Sequence, residues 1–412
     1  MRLNPGRLAA GQVLLEVEQG RHADRALSRL APPDGRDRAL AWQLVLGVLR
    51  HRGAIDGAID AVSTRAVETL DPPVRAALRV ATWERLYGRA PDHAVVDQGV
   101  ALAHALGAPQ ARGFANAVLR RVAPVDVPAA QNHPAWWVSR WTERVGAAAV
   151  EDWCARNDQP APLGVVARDD PDGVAGMLGG VGRVRPATVQ GQAVPGAFLV
   201  DELSGPVDAL PGFADGAWWV MDPASCATAD LVPLTPGDRV LDACAAPGGK
   251  ALRLAARGAR VMACDLSKDR LQVLKANARR TGLGPIARQV DWLEAPWTPK
   301  VPFDAALVDV PCTGLGTLRR HPEIRWARQP TDPAAMALRQ APILSAAAAT
   351  VRPGGHLVYS VCSPEPEEGN TLVAAWVASS AGRDWTLVEE RLAAPPVEDA
   401  DCFYAALLER AT

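Results

Sequence analysis

The stretch from Arg239 to Lys250, RVLDACAAPGGK, restricts the fold of this 412-residue chain more than any other. Val240-Leu241 is short and apolar and follows the turn Pro236-Gly237-Asp238, so it reads as a buried strand. Pro247, Gly248 and Gly249 make a tight loop, and Ala251 to Ala256 begins a helix. Strand, glycine loop and helix form the first unit of a doubly wound α/β sheet, which binds ligands beyond the carboxyl ends of its strands. The next strand, Arg260 to Cys264, ends at Asp265, 23 residues after Asp242. An acid there is placed to accept hydrogen bonds from ribose hydroxyls. The loop is not the G-x-G-x-x-G dinucleotide fingerprint and carries only two adjacent glycines. A pyrophosphate needs more backbone donors, whereas a nucleoside without phosphates, such as S-adenosylmethionine, does not.

Ahead of this unit the pattern is helical. Leu8 to Glu18, Arg36 to Arg50, Ala54 to Val62, Pro73 to Tyr87, His93 to Leu106 and Ala111 to Val122 show helical apolar spacing, with Asp71 and Asp92 as expected caps. Residues 1–125 therefore form an all-helical bundle, followed by a linker over 123–133. Trp136, Trp137, Trp141 and Trp153 then recur at roughly helical spacing. Stacking on bases is one use for them, but packing a core is the commoner one. Residues 160–217 are rich in Gly, Pro and Val and read as short strands, giving a small α+β domain over 134–221. From 226 to 412 strands and helices alternate. Ser267 caps a helix that Gly282 ends after Thr281, and Val290 closes a third strand before Asp291. Phe303 to Val308 is a fourth strand, Asp332-Pro333 opens an alanine-rich helix, and Gly355 to Val361 is a fifth strand. Thr386 to Glu390 and Phe403 to Leu408 supply late strands.

Charge adds little by itself. Residues 1–125 hold 17 Arg against 12 Asp plus Glu, a balance of +5, and the rest of a chain with net charge −2 must then carry −7. A basic front domain suits RNA contact, and a solvated helical surface gives the same count. The seven cysteines are scattered without CxxC pairs or metal-ligand spacing, which implies reduced thiols and no metal. No apolar run reaches the roughly 18 residues of a membrane span, and no signal-peptide core opens the chain. The expectation is a cytoplasmic protein with no membrane contact.

Two stretches carry the chemistry. Asp309-Val310-Pro311-Cys312 follows the fourth strand and Ser360-Val361-Cys362-Ser363 ends the fifth, so both cysteines fall at carboxyl ends of neighbouring strands, on the cofactor side. Cys154, Cys226, Cys264 and Cys402 read instead as small buried hydrophobes. A thiolate beside a methyl donor suits methylation of cytosine carbon 5, which is a poor nucleophile in the ground state. Thiolate attack at carbon 6 makes an enamine whose carbon 5 takes the methyl group. Asp309 would face ring nitrogen 3 and stabilise the charge that develops. After transfer a base removes the hydrogen from carbon 5 and the sulfur leaves. An amino methyltransferase would need no thiol, and carries an aromatic residue where DVPC has Cys312.

On these residues the chain resembles the Sun-type family of RNA cytosine-5 methyltransferases. Its marks are Ala243 to Lys250 (ACAAPGGK), Asp309 to Cys312 (DVPC), Thr317 to Trp326 (TLRRHPEIRW) and Tyr359 to Glu368 (YSVCSPEPEE). GVLRHRGAID and FANAVLRRV make the front bundle similar to a NusB-like RNA-binding domain. The resemblance implies a multidomain protein: an all-α NusB-like bundle over 1–125, a small α+β linker domain, and a Rossmann-like S-adenosylmethionine-dependent methyltransferase domain over 222–412. It implies Cys362 as nucleophile and Cys312 as the second cysteine, assisting elimination. Cys244, Ala245, Ala246, Pro247, Gly248, Gly249, Lys250, Asp265, Asp291 and Asp309 fall on cofactor-binding positions, with Asp265 on the ribose and Asp291 on the adenine amino group. Arg270 is a further cofactor candidate, with a solvated surface role as its alternative. Arg319, Arg320 and His321 would approach phosphates of the substrate, small-subunit ribosomal RNA. Three positions depart from the family: Val361 stands for the usual Thr, Gly369 for an Asn, and Cys402 for a glycine. The competing readings are a non-catalytic ribosome-assembly factor and cytosine-5 methylation of another RNA or of DNA.

Overall fold

The computed structural model describes residues 3–203, 205–394 and 399–412, and the chain divides into two compact units. The first is Met1–Pro160 together with Leu318–Arg328, and the second is Ala161–Thr317 with Gln329–Thr412. The stretch 134–221 is thus shared between them.

The first unit is helical: α1 (Pro5–Glu18), α2 (Ala23–Leu30), α3 (Gly35–Arg50), α4 (Arg52–Asp60), α5 (Pro72–Tyr87), α6 (Asp92–Ala105), α7 (Arg112–Leu119), α8 (Ala135–Val145) and α9 (Ala147–Asn157). Helix α2 was not legible from periodicity, because its eight residues bury only Ala23, Ala26 and Leu27. The expected caps need correction. Asp71 precedes α5 but makes no side-chain capping bond, and Pro72-Pro73 fill a first turn whose N–H groups have no intrahelical partner anyway. Asp92 lies inside α6, after Pro91, and accepts from Arg85 at 3.2 Å. Leu27, Leu44, Ile55, Ile59, Leu78 and Leu102 are fully buried in the shared core. The tryptophans of α8 and α9 also pack a core: the Trp153 ring meets Trp137 edge-on at 4.8 Å and Trp141 at 5.0 Å.

The second unit opens with β1 (Leu163–Ala167), α10 (Pro171–Gly179), β2 (Arg183–Val189), β3 (Gln192–Asp201) and β4 (Trp218–Val220), whose antiparallel sheet has the order β2-β3-β1-β4. Helix α11 (Pro223–Asp230) follows, its first turn capped by the Asp222 carboxylate. Then come β5 (Arg239–Asp242), α12 (Gly249–Ala256), β6 (Arg260–Asp265), α13 (Lys268–Thr281), β7 (Ile286–Gln289) and β8 (Phe303–Asp309). The chain enters the first unit for α14 (Glu323–Ala327), and the second is completed by α15 (Asp332–Ala348), β9 (Val351–Val361), α16 (Asn370–Val377), β10 (Trp385–Leu392) and β11 (Tyr404–Arg410).

The main sheet has the order β10-β11-β9-β8-β5-β6-β7, parallel from β9 to β7 and antiparallel at β10 and β11. Chain direction across the sheet reverses between β5 and β8, the switch point at which such sheets bind ligands. Both faces are buried, as the apolar strands require. Val240, Val261, Ala305, Leu307 and Val358 pack on one side, and Leu241, Cys264, Ala306, Val308 and Tyr359 on the other. Helix α13 runs as read, from the Ser267 cap to Gly282 in the left-handed conformation.

Residues 318–328 are anchored in the first unit by Arg325, which is fully buried. Its guanidinium donates to Asp158 Oδ1 at 2.6 Å and to the carbonyls of Arg50, Asn132 and Asn157 at 3.0, 3.1 and 2.6 Å. Burial pushes Arg325 down and Asp158 up, and each partner's charge opposes the other's shift. Removing one member of such a pair leaves an uncompensated buried charge. Arg325→Met is expected to lower the stability of this unit by about 3–5 kcal/mol. Equilibrium urea unfolding measures it, and a loss under about 1 kcal/mol would contradict this account.

Candidate active site

The loop after β5 is built by hydrogen bonds to its neighbours. Ala243 N–H donates to Leu307 O at 2.9 Å and Ala245 N–H to Cys264 O at 2.7 Å, which draws the loop across the ends of β8 and β6. At Gly248 φ is +116°, and a Cβ there would sit 2.9 Å from Leu274 Cγ. Conformation and space both demand glycine. Helix α12 begins directly afterwards.

Asp265 is almost wholly buried at the end of β6. Its Oδ1 accepts from Ser267 N–H at 2.8 Å, and its Oδ2 from Ala246 N–H at 3.2 Å and from Arg270 at 2.7 Å. Arg270 also donates to Ala246 O at 2.7 Å. Its guanidinium therefore braces the loop against Asp265, which neither of the two roles read from the sequence had included. Asp291 accepts from the N–H groups of Leu293 and Glu294 at 3.0 and 3.1 Å. With Leu266 it lines a hollow of about 370 Å³, together with Arg288, Gln289, Val290, Ala295, Pro296 and Trp297. An acid at the strand end, a glycine turn and an adjacent hollow suit a nucleoside cofactor, and both oxygens of the acid are engaged here by Ser267, Ala246 and Arg270.

Lys250 and Asp309 form an ion pair, Nζ to Oδ2, of 2.7 Å. The other oxygen of Asp309 accepts from Ser360 Oγ at 2.8 Å. Burial lowers the Lys250 pKa, but Asp309, the bond to it and the nearby Cys362 and Asp242 outweigh this and raise it. The ammonium also stands 4.9 Å over the Phe403 ring.

The two cysteines expected at neighbouring strand ends come together. Strand β8 pairs in parallel with β9 so that Asp309 is opposite Ser360, and Cys312 Sγ lies 3.3 Å from Cys362 Sγ. The bond to Cys362 and then burial push the Cys312 thiol well above its usual value. Gly316 donates to Cys362 O at 3.0 Å and accepts from Cys402 N–H at 2.9 Å, so position 402 acts here through its backbone. Cys154, Cys226 and Cys264 are buried as expected, and burial drives each thiol up to about 12. The side chain of Val361 packs into the apolar layer with Leu357 and Tyr359, on the face away from Ser360 and Asp309, where a methyl suits the surroundings.

Arg319, Arg320 and His321 belong to the first unit. Arg319 donates to the carbonyls of Gln159 and Pro160 at 3.2 and 2.8 Å, and His321 Nδ1 lies 3.7 Å from Glu323. Sequence reasoning missed Ser360 and Asp242. Ser360 is signalled by its place opposite Asp309 once the strands are paired. Asp242 served only as a marker of spacing, yet it is fully buried and neither carboxyl oxygen has a hydrogen-bond partner among the described residues. Among those residues, no helix is long and apolar enough to cross a membrane.

Residues 229–409 match the family model described as 16S rRNA methyltransferase RsmB/F, and residues 4–124 match the NusB family. The ribosomal RNA small subunit methyltransferase B of Thermus thermophilus is 39% identical over 386 residues, covering 92% of this chain and 88% of that one. The protein of the same name from Klebsiella pneumoniae is 31% identical over 99% of both chains. Among solved structures, the crystal structure of PH0851 superposes over 100% of both chains with a TM-score of 0.79 at 22% identity, a likeness of fold.

Asp242 makes a pH signature. Burial drives its pKa up to about 8, with Asp309 and Asp265 adding to the rise and Lys250 opposing it. An unfolded aspartate titrates near about 3.9. Between these values the unfolded chain has lost a proton that the native state keeps, so stability falls as pH rises through that window. The stability advantage of Asp242→Asn over the parent should therefore grow from about pH 4 to about pH 8. Thermal melts across that range measure it, and a difference independent of pH would refute the assignment.

Proposed function

The chain belongs to the RsmB/F family of 16S rRNA methyltransferases, and from that membership and the paired thiols we propose that it methylates carbon 5 of a cytosine in small-subunit ribosomal RNA through a covalent cysteine adduct. The observation that carries the reading is the 3.3 Å approach of Cys362 Sγ and Cys312 Sγ beside the Lys250–Asp309 pair. A reaction with an addition and an elimination has use for two thiols at one base.

S-adenosylmethionine supplies the electrophilic methyl group. Asp265 and the loop from Cys244 to Lys250 hold it, with Asp291 toward the base and Asp309 toward the methionine end. The Cys362 sulfur adds to carbon 6, helped by the positive charge of Lys250 nearby. As negative charge develops on the ring, nitrogen 3 takes a proton by way of Asp309 from the Lys250 ammonium 2.7 Å away, which is left as the neutral amine until elimination returns the proton. After carbon 5 has taken the methyl group, Cys312 assists removal of its hydrogen, the ring electrons re-form the double bond, and the Cys362 sulfur departs. The target base must leave any stack, which costs least in a loop, so a loop cytosine is expected.

The NusB-family bundle supplies RNA affinity in this reading, and Arg319, Arg320 and His321 meet phosphates. Binding should weaken with salt as counterions are released. Arg319→Gln with Arg320→Gln should weaken RNA binding and flatten the logarithmic salt dependence by about two, leaving cofactor affinity intact. Filter binding over a salt series reads both, and an unchanged slope would remove these residues from the RNA surface.

The thiols are separated by their variants. Cys362→Ala should form no adduct and transfer no methyl group. Cys312→Ala should form the adduct and release it poorly, accumulating as a protein–RNA conjugate on a denaturing gel with labelled RNA and cofactor. A conjugate from Cys362→Ala and none from Cys312→Ala would reverse the roles.

A further inference from the structure

Behind the two cysteines the carboxyl group of Glu368 joins the chain segments that carry them. Its Oε1 accepts from the Thr313 N–H at 2.8 Å and from Gln340 Nε2 at 3.0 Å. Its Oε2 accepts from Thr313 Oγ1 at 2.5 Å and from Ser363 Oγ at 2.6 Å. Thr313 follows Cys312 and Ser363 follows Cys362, and the two hydroxyls are 3.1 Å apart. Glu368 is fully buried. Its own backbone is held by Tyr359, whose hydroxyl donates to Glu368 O at 2.7 Å. Gln340 extends the network to Pro311 O at 3.0 Å, the residue before Cys312.

Burying a carboxyl group among four donors is costly unless every bond is made, and a fully satisfied network fixes one geometry. What this one fixes is the spacing of two loops that the sheet no longer controls. The last bond of the ladder is Val310 N–H to Ser360 O at 3.2 Å, before either cysteine, and past it one backbone bond, Gly316 N–H to Cys362 O at 3.0 Å, joins the segments four residues beyond Cys312. Beyond it the side chain of Glu368 bonds to the residue after each thiol.

We infer that Glu368 is a positioning residue that sets the distance between the Cys312 and Cys362 sulfurs, and through it the rate of the two-thiol reaction. The inference rests on the reading that both thiols act on one base: the thiols serve adjacent ring carbons, so loops free to separate would leave one of them out of reach. The acceptor pattern also predicts which substitution is tolerated. In Glu368→Gln the amide oxygen can face the Thr313 N–H and the Gln340 amide. The new NH₂ then meets two hydroxyls, each of which can turn to accept. Glu368→Ala removes the acceptor that all four donors share, leaving Gln340 with Pro311 O and the two hydroxyls with each other.

Diamide tests the spacing without reference to methylation, because it takes two protons and two electrons from two thiols as they join into a disulfide. The rate of Cys312–Cys362 disulfide formation, read by peptide mapping, should fall at least about tenfold in Glu368→Ala. Its kcat for RNA methylation should fall about a hundredfold, the scale of a 1 Å misplacement, with KM for RNA and cofactor nearly unchanged. Glu368→Gln should restore both rates. If Glu368→Ala does not melt cooperatively, Ser363→Ala carries the test, with a smaller loss of both rates expected. An unchanged disulfide rate, an unchanged kcat, or a Glu368→Gln as impaired as Glu368→Ala would overturn the inference. Nucleoside analysis of RNA methylated by the parent protein reads the carbon 5 assignment separately. A methyl group elsewhere defeats that assignment, while the disulfide rates still decide the role of Glu368.

Discussion

Everything at the site depends on the parallel pairing of β8 with β9. The register that sets Asp309 opposite Ser360 gives the carboxylate its hydroxyl partner and sends two cysteine-bearing loops off the same rim of the sheet. Side chains alternate along a strand, so a slip of one residue would turn Ser360 into the apolar layer and Val361 toward the carboxylate. The layer itself forbids this. Leu357, Tyr359 and Val361 are packed on one face, and exposing them to gain a polar alignment would forfeit several buried side chains. Hydrophobic packing, which knows nothing of the reaction, is what aligns the reacting groups.

The same rim gathers more negative charge than it can leave uncompensated, and each carboxyl group is treated differently. Asp265 takes Arg270 and two backbone N–H groups. Asp309 takes Lys250 and a serine hydroxyl. Asp242, deepest of the three, has no side-chain hydrogen-bond partner among the described residues and answers burial by a pKa raised to about 8. With two cations for three acids, the most buried group stays protonated near neutrality, which is cheaper than an unpaired buried charge. Lys250 is consequently held as an ammonium ion between Asp309 and the face of Phe403.

Much of this was legible because the chemistry sits where periodicity changes. The strand at Val240-Leu241, the acid at Asp265, and the thiols at Cys312 and Cys362 each follow an apolar run and end it, so their place at the sheet rim could be read directly. Helix α13 was readable for a similar reason, with Ser267 and Gly282 marking its ends. What could not be read depends on contacts distant in sequence. Arg270 is one turn into a helix, and nothing local says that it turns back to Asp265. Arg325 sits in a motif whose three basic neighbours looked like RNA ligands, yet it is the one buried against Asp158. Glu365, Glu367 and Glu368 stand nearly side by side, and only the fold turns the last of them toward Thr313 and Ser363. Buried polar networks leave no period in a sequence, because their partners lie tens of residues away.

The thiol pair carries an ordering of events within the proposed reaction. The foremost cause of the raised Cys312 pKa is its bond to Cys362, ahead of burial. While both thiols are free, that bond and burial favour the protonated form of Cys312. Once the Cys362 sulfur has bonded to carbon 6, it no longer carries a thiol or thiolate, and that foremost cause is gone. Burial and the charges of Glu368 and Asp309 remain, but the largest obstacle to deprotonating Cys312 has been removed by the addition itself. The 3.3 Å between the two sulfurs thus couples addition to elimination in the proposed reaction.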